Sequence, residues 1–118
     1  MKHFFYLSTC STCQRIMQDL PLDVRGVVLQ DIKTTPITPE QIDRMAELAG
    51  SFEALFSRRS MKFRPMGLHE KQLTESDYRN LILQEYTFLK RPVLVYDGAI
   101  AVGNAKAEVA RMHTILHS

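Results

Sequence analysis

The order of apolar runs and helical spacing in residues 1–32 most constrains what this chain can fold into. Residues 4–7 (FFYL) form a continuous apolar run of strand length, and residues 24–32 (VRGVVLQDI) form a second, β-branched run. Between the two runs, apolar residues recur at the spacing of one helix face, and these are Cys13, Ile16, Met17 and Leu20. Pro21 ends the helical pattern. Strand, helix and strand with short connections predict a βαβ unit whose two strands are parallel.

The middle of the chain carries helix start signals instead of strand patterns. Residues 38–41 (TPEQ) combine an N-cap threonine, a proline at the first helical position and a reciprocal glutamine, which together form a capping box. Thr74 with Asp77 marks a second helix start after a basic loop at residues 57–68 (SRRSMKFRPMGL). We therefore predict a helical insertion at about residues 38–90.

The last part of the chain returns to strands. Residues 92–96 (PVLVY) and 99–103 (AIAVG) predict two strands joined by Asp97-Gly98, a dipeptide suited to a two-residue hairpin turn. Asn104 is a candidate N-cap for a final helix that would cover the sheet. The apolar residues of that helix share one face, and they are Ala105, Val109, Met112 and Leu116. The whole order is β-α-β, helical insertion and β-β-α, which describes an α/β, thioredoxin-like fold with a mixed four-stranded sheet.

Length and composition limit the classes of protein that fit. A length of 118 residues supplies one hydrophobic core, so we predict a single domain over residues 1–118. A net charge of +2 is too small to predict direct nucleic-acid binding. No run approaches the length of a membrane span, and FFYL is too short for a signal-peptide core, so we expect a cytoplasmic protein without a membrane partner. In that reducing compartment a permanent disulfide is disfavoured, and a CxxC pair points to chemistry or to no special role.

The CxxC pair, Cys10 and Cys13, lies at the junction of the first strand and the first helix. Cys10 falls at the helix start, where unpaired backbone N–H groups and the helix dipole stabilise a thiolate. Cys13 follows one turn later on the apolar face, within reach of Cys10, as a resolving thiol must be. The alternatives are a small core residue for Cys13 and an incidental loop residue for Cys10. Both alternatives stay open at this point.

A zinc site is a third interpretation of the cysteine pair. A structural zinc site needs four ligands, and the sequence holds no second CxxC. His113 and His117 have i, i+4 spacing, but they lie at the far end of the chain in a final helical turn, where histidine suits the helix dipole. We therefore expect no metal ligands among the candidate residues.

Several segments together resemble one known family. They are CSTCQR, TPITPEQI, SRRSMKFRPMGL, FLKRPVLVYDG and AVGNAKAE, and they match in order and spacing over nearly the whole chain. The pattern is similar to that of the arsenate reductase (ArsC)-like family, which includes glutaredoxin-coupled arsenate reductases, Spx-type regulators and YffB-type proteins. The most specific parts are the CxxC after the first strand and KRP before the third. The resemblance implies a thioredoxin-like fold with a helical insertion.

The resemblance also implies roles for particular residues. Cys10 matches the nucleophilic cysteine of the family, and Arg91 matches an arginine that faces the bound oxyanion or the CxxC. A guanidinium beside a thiolate lowers the pKa of that thiol and can hold an anion through two hydrogen bonds. With Cys13 as the resolving thiol, the expected catalytic residues are Cys10, Cys13 and Arg91. The expected substrate-binding residues are Thr9, Ser11, Thr12, Arg59 and Pro92, the last matching the family's cis-proline.

Departures from the family pattern concern its positive charges. Ser57 stands where arsenate reductases have an arginine, and residues 102–104 (VGN) replace another. Each missing guanidinium removes a charge-assisted contact worth roughly 1.5–3 kcal/mol, so arsenate binding should be weakened. Gln14 stands where the family usually has arginine or lysine, with Arg15 displaced by one position. The basic residues of the loop, Arg58, Arg59, Lys62 and Arg64, form either an anion-binding wall or a solvated surface.

Two functions of different classes fit these observations. In the first, Cys10 attacks a disulfide, a glutathione conjugate or an oxyanion and Cys13 resolves the intermediate; no cofactor is bound, glutathione is a candidate co-substrate, and glutaredoxin or thioredoxin is the partner. In the second, the protein is a Spx-like redox-sensing transcriptional regulator that binds the RNA polymerase alpha subunit. Spx-type regulators continue past their last helix with a charged tail, whereas this sequence ends soon after its own. We therefore expect the simpler thiol-disulfide oxidoreductase.

Overall fold

The structure is a computed structural model that describes residues 1–117. Its helices and strands, in chain order, are β1 (Lys2–Tyr6), α1 (Ser11–Asp19), β2 (Val28–Asp31), α2 (Pro39–Ala49), α3 (Glu75–Gln84), β3 (Val93–Tyr96), β4 (Ala99–Val102) and α4 (Lys106–His117). Short 3₁₀ helices lie at Glu53–Leu55, Leu68–Glu70 and Tyr86–Phe88. The chain divides into two compact units, of which the first contains Met1–Pro36 and the chain from Arg91 onward, and the second contains Ile37–Lys90.

The first unit is built on a four-stranded sheet with the order β2-β1-β3-β4. β1 pairs with β2 in parallel, with Phe4 opposite Leu29, and with β3 in antiparallel orientation, with Phe4 opposite Leu94. β3 and β4 form an antiparallel hairpin. Asp97 and Gly98 in its turn both have positive φ angles, 45° and 89°, as a two-residue hairpin turn requires. The predicted α/β fold with a mixed sheet is therefore confirmed.

One apolar cluster holds α1 and α4 against the sheet. Phe4, Leu94 and Ala101 lie opposite one another across β1, β3 and β4 and are fully buried. The helix residues of the same cluster are Ile16 and Leu20 at α1 and Met112 and Leu116 on α4. Both helices therefore cover the same face of the sheet. Because α1 follows β1 after a short turn, the first residues of the helix lie near the end of that strand.

The second unit contains the helices that the middle of the sequence predicted. Thr38 and Gln41 form a complete capping box at α2, and Thr74 and Asp77 form another at α3. An aromatic cluster of Phe56, Phe63, Tyr78 and Phe88 packs within this unit, with ring centroids 4.9–6.1 Å from that of Phe56. The bounds of the unit lie within one residue of the predicted insertion, whereas the single domain over residues 1–118 stays a prediction.

The starts of β2 and α4 differ from their predicted positions. β2 begins at Val28 instead of residue 24, because Gly26 adopts a left-handed φ of 68° and the Val27 N–H donates to the Leu22 carbonyl, which closes a turn. Val24 is consequently 80% exposed. α4 begins at Lys106, two residues after Asn104, and the Ala105 carbonyl accepts hydrogen bonds from the first turn. Within residues 1–117, none of the helices is long and apolar enough to cross a bilayer.

Candidate active site

The first turn of α1 holds both cysteines. The Cys10 N–H donates to the Leu7 carbonyl at 3.0 Å, which closes the turn between β1 and α1. Cys10 is the N-cap of the helix, with φ of −97° and ψ of 111°, and its Sγ accepts a hydrogen bond from the Cys13 N–H at 3.4 Å. N-caps are usually serine, threonine, aspartate or asparagine, whose oxygen satisfies a free helix N–H. In this protein the thiol sulfur of Cys10 takes the place of that oxygen and accepts the hydrogen bond from the helix N–H.

The surroundings of the Cys10 sulfur favour its thiolate. Burial alone raises the pKa of this thiol, because the charged form loses solvation. Hydrogen bonds from the backbone and the thiol of Cys13, a backbone hydrogen bond from Thr12 and the positive charge of Arg91 act in the opposite direction. These contributions outweigh burial, so the pKa of Cys10 lies below the ordinary thiol value. More thiolate is therefore present at neutral pH than in a free cysteine.

Cys13 has the opposite protonation preference. Its residue surface is completely buried, and burial together with the hydrogen bond and negative charge of Cys10 raises its pKa to about 11. Both cysteines are free thiols in this structure. The burial fits a small core residue and a resolving thiol equally well, while the difference between the two sulfurs fits a nucleophile beside a protonated partner.

Arg91 and Pro92 belong to the same unit as the cysteines, directly before β3. The positive charge of Arg91 lowers the pKa of both Cys10 and Cys13, so the guanidinium acts on both sulfurs. The Arg91–Pro92 peptide bond is cis, as the matched cis-proline implies, and Pro92 is buried. The Pro92 carbonyl accepts a hydrogen bond from the Gly103 N–H at 2.8 Å, which ties this loop to the end of β4.

The expected substrate-binding residues occupy different parts of the molecule. Thr9 and Ser11 flank Cys10 and are exposed, and Thr12 is half-buried. The backbone N–H of Thr12 donates to the Cys10 sulfur. Arg59 lies in the second unit, exposed, where its backbone N–H donates to the Ser57 hydroxyl at 3.3 Å. The substrate-binding roles of all these residues stay predictions.

Within the basic loop, the contacts of Arg58 distinguish it from the other three basic residues. One guanidinium nitrogen of Arg58 lies 3.1 Å from a Glu53 carboxylate oxygen and 2.7 Å from the Tyr78 hydroxyl. The guanidinium also lies over the Tyr78 ring, at 5.6 Å from the centroid. Because its charge is already paired with a carboxylate, Arg58 contributes to the packing of the second unit, and an anion-binding wall would have to be built from the other three cations.

Ser8 and Asp31, which the sequence analysis did not single out, hold the turn before Cys10 together with Gln14. The Ser8 N–H donates to Asp31 Oδ1 at 3.4 Å, and Gln14 Nε2 donates to the Ser8 carbonyl at 3.1 Å. Asp31 ends β2, which is parallel to β1, so both strands finish at the same edge of the sheet. That shared edge was the signal available in the sequence, because polar residues after neighbouring parallel strands meet there.

No group of three or more potential ligands of a metal ion occurs among residues 1–117. His113 and His117 stack on one another along α4, with ring centroids 6.1 Å apart. Two imidazoles alone do not complete the four-ligand set of a structural zinc site.

The chain matches the model of a known protein family. The model of the ArsC family matches residues 5–112, a range that includes all the candidate catalytic and substrate-binding residues. A search of curated protein sequences finds no significant match.

Solved structures with the same architecture support the fold. A protein described as ArsC family related from Bacteroides fragilis has a TM-score of 0.78 and 22% identity, covering 94% of this chain and 96% of its own. A YffB protein has a TM-score of 0.75 and 23% identity, with coverage of 96% and 99%. A protein described as a possible arsenate reductase from Streptococcus mutans has a TM-score of 0.69 and 29% identity, with coverage of 93% and 98%. The thioredoxin-like fold is therefore shared over almost the full length.

Proposed function

The chain belongs to the ArsC family, and on this premise we propose that it is a thiol-disulfide oxidoreductase with Cys10 as nucleophile and Cys13 as resolving thiol. The observation that carries the proposal is the contrast between two sulfurs in one helical turn. The pKa of Cys10 is lowered by hydrogen bonds and by Arg91, whereas burial raises that of Cys13 to about 11. A nucleophilic thiolate beside a protonated thiol is the starting arrangement for thiol-disulfide exchange.

The reaction proceeds in two exchange steps. The Cys10 thiolate attacks one sulfur of a substrate disulfide, forms a mixed disulfide and releases the other sulfur as a thiolate. Cys13 then loses its proton and attacks the Cys10 sulfur, which closes the Cys10–Cys13 disulfide and releases the second substrate thiolate. The substrate gains two electrons, and an external thiol returns them to the protein. Glutathione, glutaredoxin or thioredoxin would serve as that donor.

The order of the two steps follows from the mutual influence of the sulfurs. The charge of Cys10 and its hydrogen bond are among the causes that raise the pKa of Cys13. Once Cys10 has formed a mixed disulfide, it carries no charge and both causes disappear. Arg91 continues to lower the pKa of Cys13, so the resolving thiol becomes easier to deprotonate at the moment when it is needed.

Arsenate is the second candidate substrate. It is favoured by the likeness to the protein described as a possible arsenate reductase, which shares 29% identity with this chain. Ser57 and residues 102–104 lack the arginines of the family pattern, which favours a disulfide over an oxyanion as substrate. The two substrates can be separated because arsenate needs charge-assisted contacts and a disulfide does not.

A panel assay tests the proposed function. Wild type, Cys10→Ser and Cys13→Ser are compared on a glutathione mixed disulfide, a protein disulfide and arsenate, each with glutathione, glutaredoxin or thioredoxin. We expect turnover of a disulfide by the wild type, none by Cys10→Ser, and a trapped mixed disulfide on Cys10 in Cys13→Ser. Faster reduction of arsenate than of either disulfide would reverse the choice of substrate. Capture of the RNA polymerase alpha subunit without any reductase activity would favour the regulator instead.

A titration tests the chemical premise independently of substrate. The rate of alkylation by iodoacetamide at Cys10, mapped by mass spectrometry, follows the thiolate fraction. Since the pKa of Cys10 is lowered, the rate should reach its plateau at a lower pH than that of a free cysteine, whose pKa is about 8.5. Mild oxidation should give an intramolecular Cys10–Cys13 disulfide. An ordinary titration curve, or oxidation only to dimers, would remove the proposed roles.

A further inference from the structure

The turn before the nucleophile is held by side chains from two separate elements. The Ser8 N–H donates to Asp31 Oδ1 at 3.4 Å, from the end of β2, and the Ser8 carbonyl accepts from Gln14 Nε2 at 3.1 Å, from α1. Ser8 itself is exposed, so both of its backbone groups could be hydrated instead. Neither bond is needed to satisfy a buried polar group, which distinguishes this pair from the structural hydrogen bonds of a core.

The carboxylate of Asp31 accepts several hydrogen bonds, which hold it beside this turn. Its carboxylate also accepts the Lys33 N–H at 3.2 Å, which orients it on its own strand end. A hydrogen bond from the Ser8 hydroxyl lowers the pKa of Asp31, and backbone hydrogen bonds from Lys33 and Ser8 act in the same direction, against the effect of partial burial. The carboxylate is therefore ionised at neutral pH and available as an acceptor.

We propose that Asp31 and Gln14 are positioning residues, which fix the backbone at Ser8 from two sides and thereby set where the Cys10 sulfur lies over the start of α1. This inference rests on the proposed function of Cys10. Ser8 is joined to Cys10 through Thr9 alone, and the turn is closed by the Cys10 N–H on the Leu7 carbonyl. Displacement of Ser8 therefore moves the N-cap residue relative to the helix.

The geometry at the sulfur is sensitive to such a displacement. The Cys13 N–H reaches Cys10 Sγ at 3.4 Å, an ordinary length for a hydrogen bond to sulfur, and such a bond weakens as its length and angle depart from their best values. A shift of the turn by a few tenths of an ångström away from the helix would weaken this donor and that of Thr12. Asp31 and Gln14 do not touch the sulfur, so their effect on the thiolate has to pass through the Ser8 backbone.

The inference predicts the behaviour of four variants. Asp31→Ala and Gln14→Met, which remove the acceptor and the donor to Ser8, should each slow Cys10 alkylation at pH 7 by about threefold and raise the apparent pKa of Cys10. Asp31→Asn keeps an acceptor oxygen at the same place and should retain wild-type behaviour. Asp23→Ala removes an exposed carboxylate elsewhere in the first unit and is the matched control.

Alkylation rates from pH 5 to 10, peptide mapping and thermal unfolding would be measured for all variants. The expected pattern is a higher Cys10 pKa in Asp31→Ala and Gln14→Met alone, whatever the change in Tm. Wild-type titration curves in both variants would overturn the inference, as would an Asp31→Asn curve displaced as far as that of Asp31→Ala. The comparison needs no substrate, so a wild type without reductase activity would remove the proposed function while leaving this test readable.

Discussion

The two units use similar polar contacts for different ends. In the second unit, polar side chains close helix ends and join helices, as in the capping box of Thr38 and Gln41 and the ion pair of Asp43 with Arg79 at 2.7 Å. In the first unit, Asp31 and Gln14 converge on the turn that precedes Cys10, the proposed nucleophile. The comparison indicates that the effect of a polar contact depends on the segment it holds, which is a helix in the second unit and the turn before Cys10 in the first. Changes in the first unit should alter chemistry, and changes in the second should alter stability.

Replacement of Cys10, the proposed nucleophile, should have the largest effect on turnover. It is the strongest test of the expectation that changes in the first unit alter the chemistry. Cys10→Ser should lower disulfide turnover by at least about a thousandfold, because a hydroxyl does not form the anion that attacks a disulfide. The midpoint of urea unfolding should change little, since Cys10 is only partly buried. Turnover that survives the substitution would place the chemistry elsewhere. Cys13→Ser in the same assay is the companion variant.

Truncation in the aromatic cluster should give the largest effect on stability. Phe56 is 1% exposed, and its ring lies 4.9 Å from that of Tyr78 and 5.1 Å from that of Phe88. Phe56→Ala should lower the free energy of unfolding by about 3–5 kcal/mol, because it removes apolar contacts and leaves a cavity. Urea titration followed by circular dichroism measures this loss. Phe56→Leu, which refills much of the volume, should recover most of the stability; equal losses would argue against a packed cluster.

Loss of the Arg91 charge should have a moderate effect on the chemistry. The guanidinium lowers the pKa of Cys10, so Arg91→Met should raise it and reduce the thiolate fraction at pH 7 by about twofold to threefold. The alkylation rates of the variant and the wild type should converge at pH values above the ordinary thiol pKa, where Cys10 is a thiolate in both proteins. Alkylation as a function of pH checks this, with the exposed Arg25→Met as control. A uniform loss of rate at every pH would indicate a change in access to the sulfur.

The surface ion pair of the second unit should give the smallest effect. The side chains of Asp43 and Arg79 are 53% and 32% exposed, so Asp43→Ala should lower the Tm by no more than about 3 °C. The Arg79 guanidinium lowers the pKa of Asp43 below 3.8, so the contribution is present above that pH and is lost as the folded carboxylate becomes protonated in acid. Thermal unfolding at pH 7 and pH 2.5 measures it. A larger loss at pH 2.5 than at pH 7 would contradict the sign.

Local features of the fold were predictable from the sequence because they depend on near neighbours. The capping boxes at Thr38 and Thr74 join residues three positions apart, and the Asp97-Gly98 turn depends on two adjacent φ angles. The start of β2 was predicted wrongly because Val24 is β-branched but precedes a left-handed Gly26. A pattern of side chains does not reveal which backbone conformation a glycine adopts.

The candidate site was predictable only in part. The position of Cys10 at a helix start follows from the strand and helix patterns on either side of it, and the burial of Cys13 follows from helical periodicity. The parallel pairing of β1 and β2 indicates that Asp31 and Ser8 lie at the same edge of the sheet, but the hydrogen bond between them was missed because no spacing rule supplies its distance of 3.4 Å. Arg91 was found by resemblance, without a local pattern to indicate its place.

The sequence by itself therefore determined the order of the elements, their caps and the location of two thiols in one helical turn. These are set by hydrogen bonds and periodicities that act over a few residues. The tertiary structure alone decided that burial raises the pKa of Cys13 to about 11, that the charge of Arg91 acts on both sulfurs, and that Asp31 reaches the turn before them. The physical reason is that solvation and Coulomb interactions depend on distances through space, which exist only once distant segments have packed together.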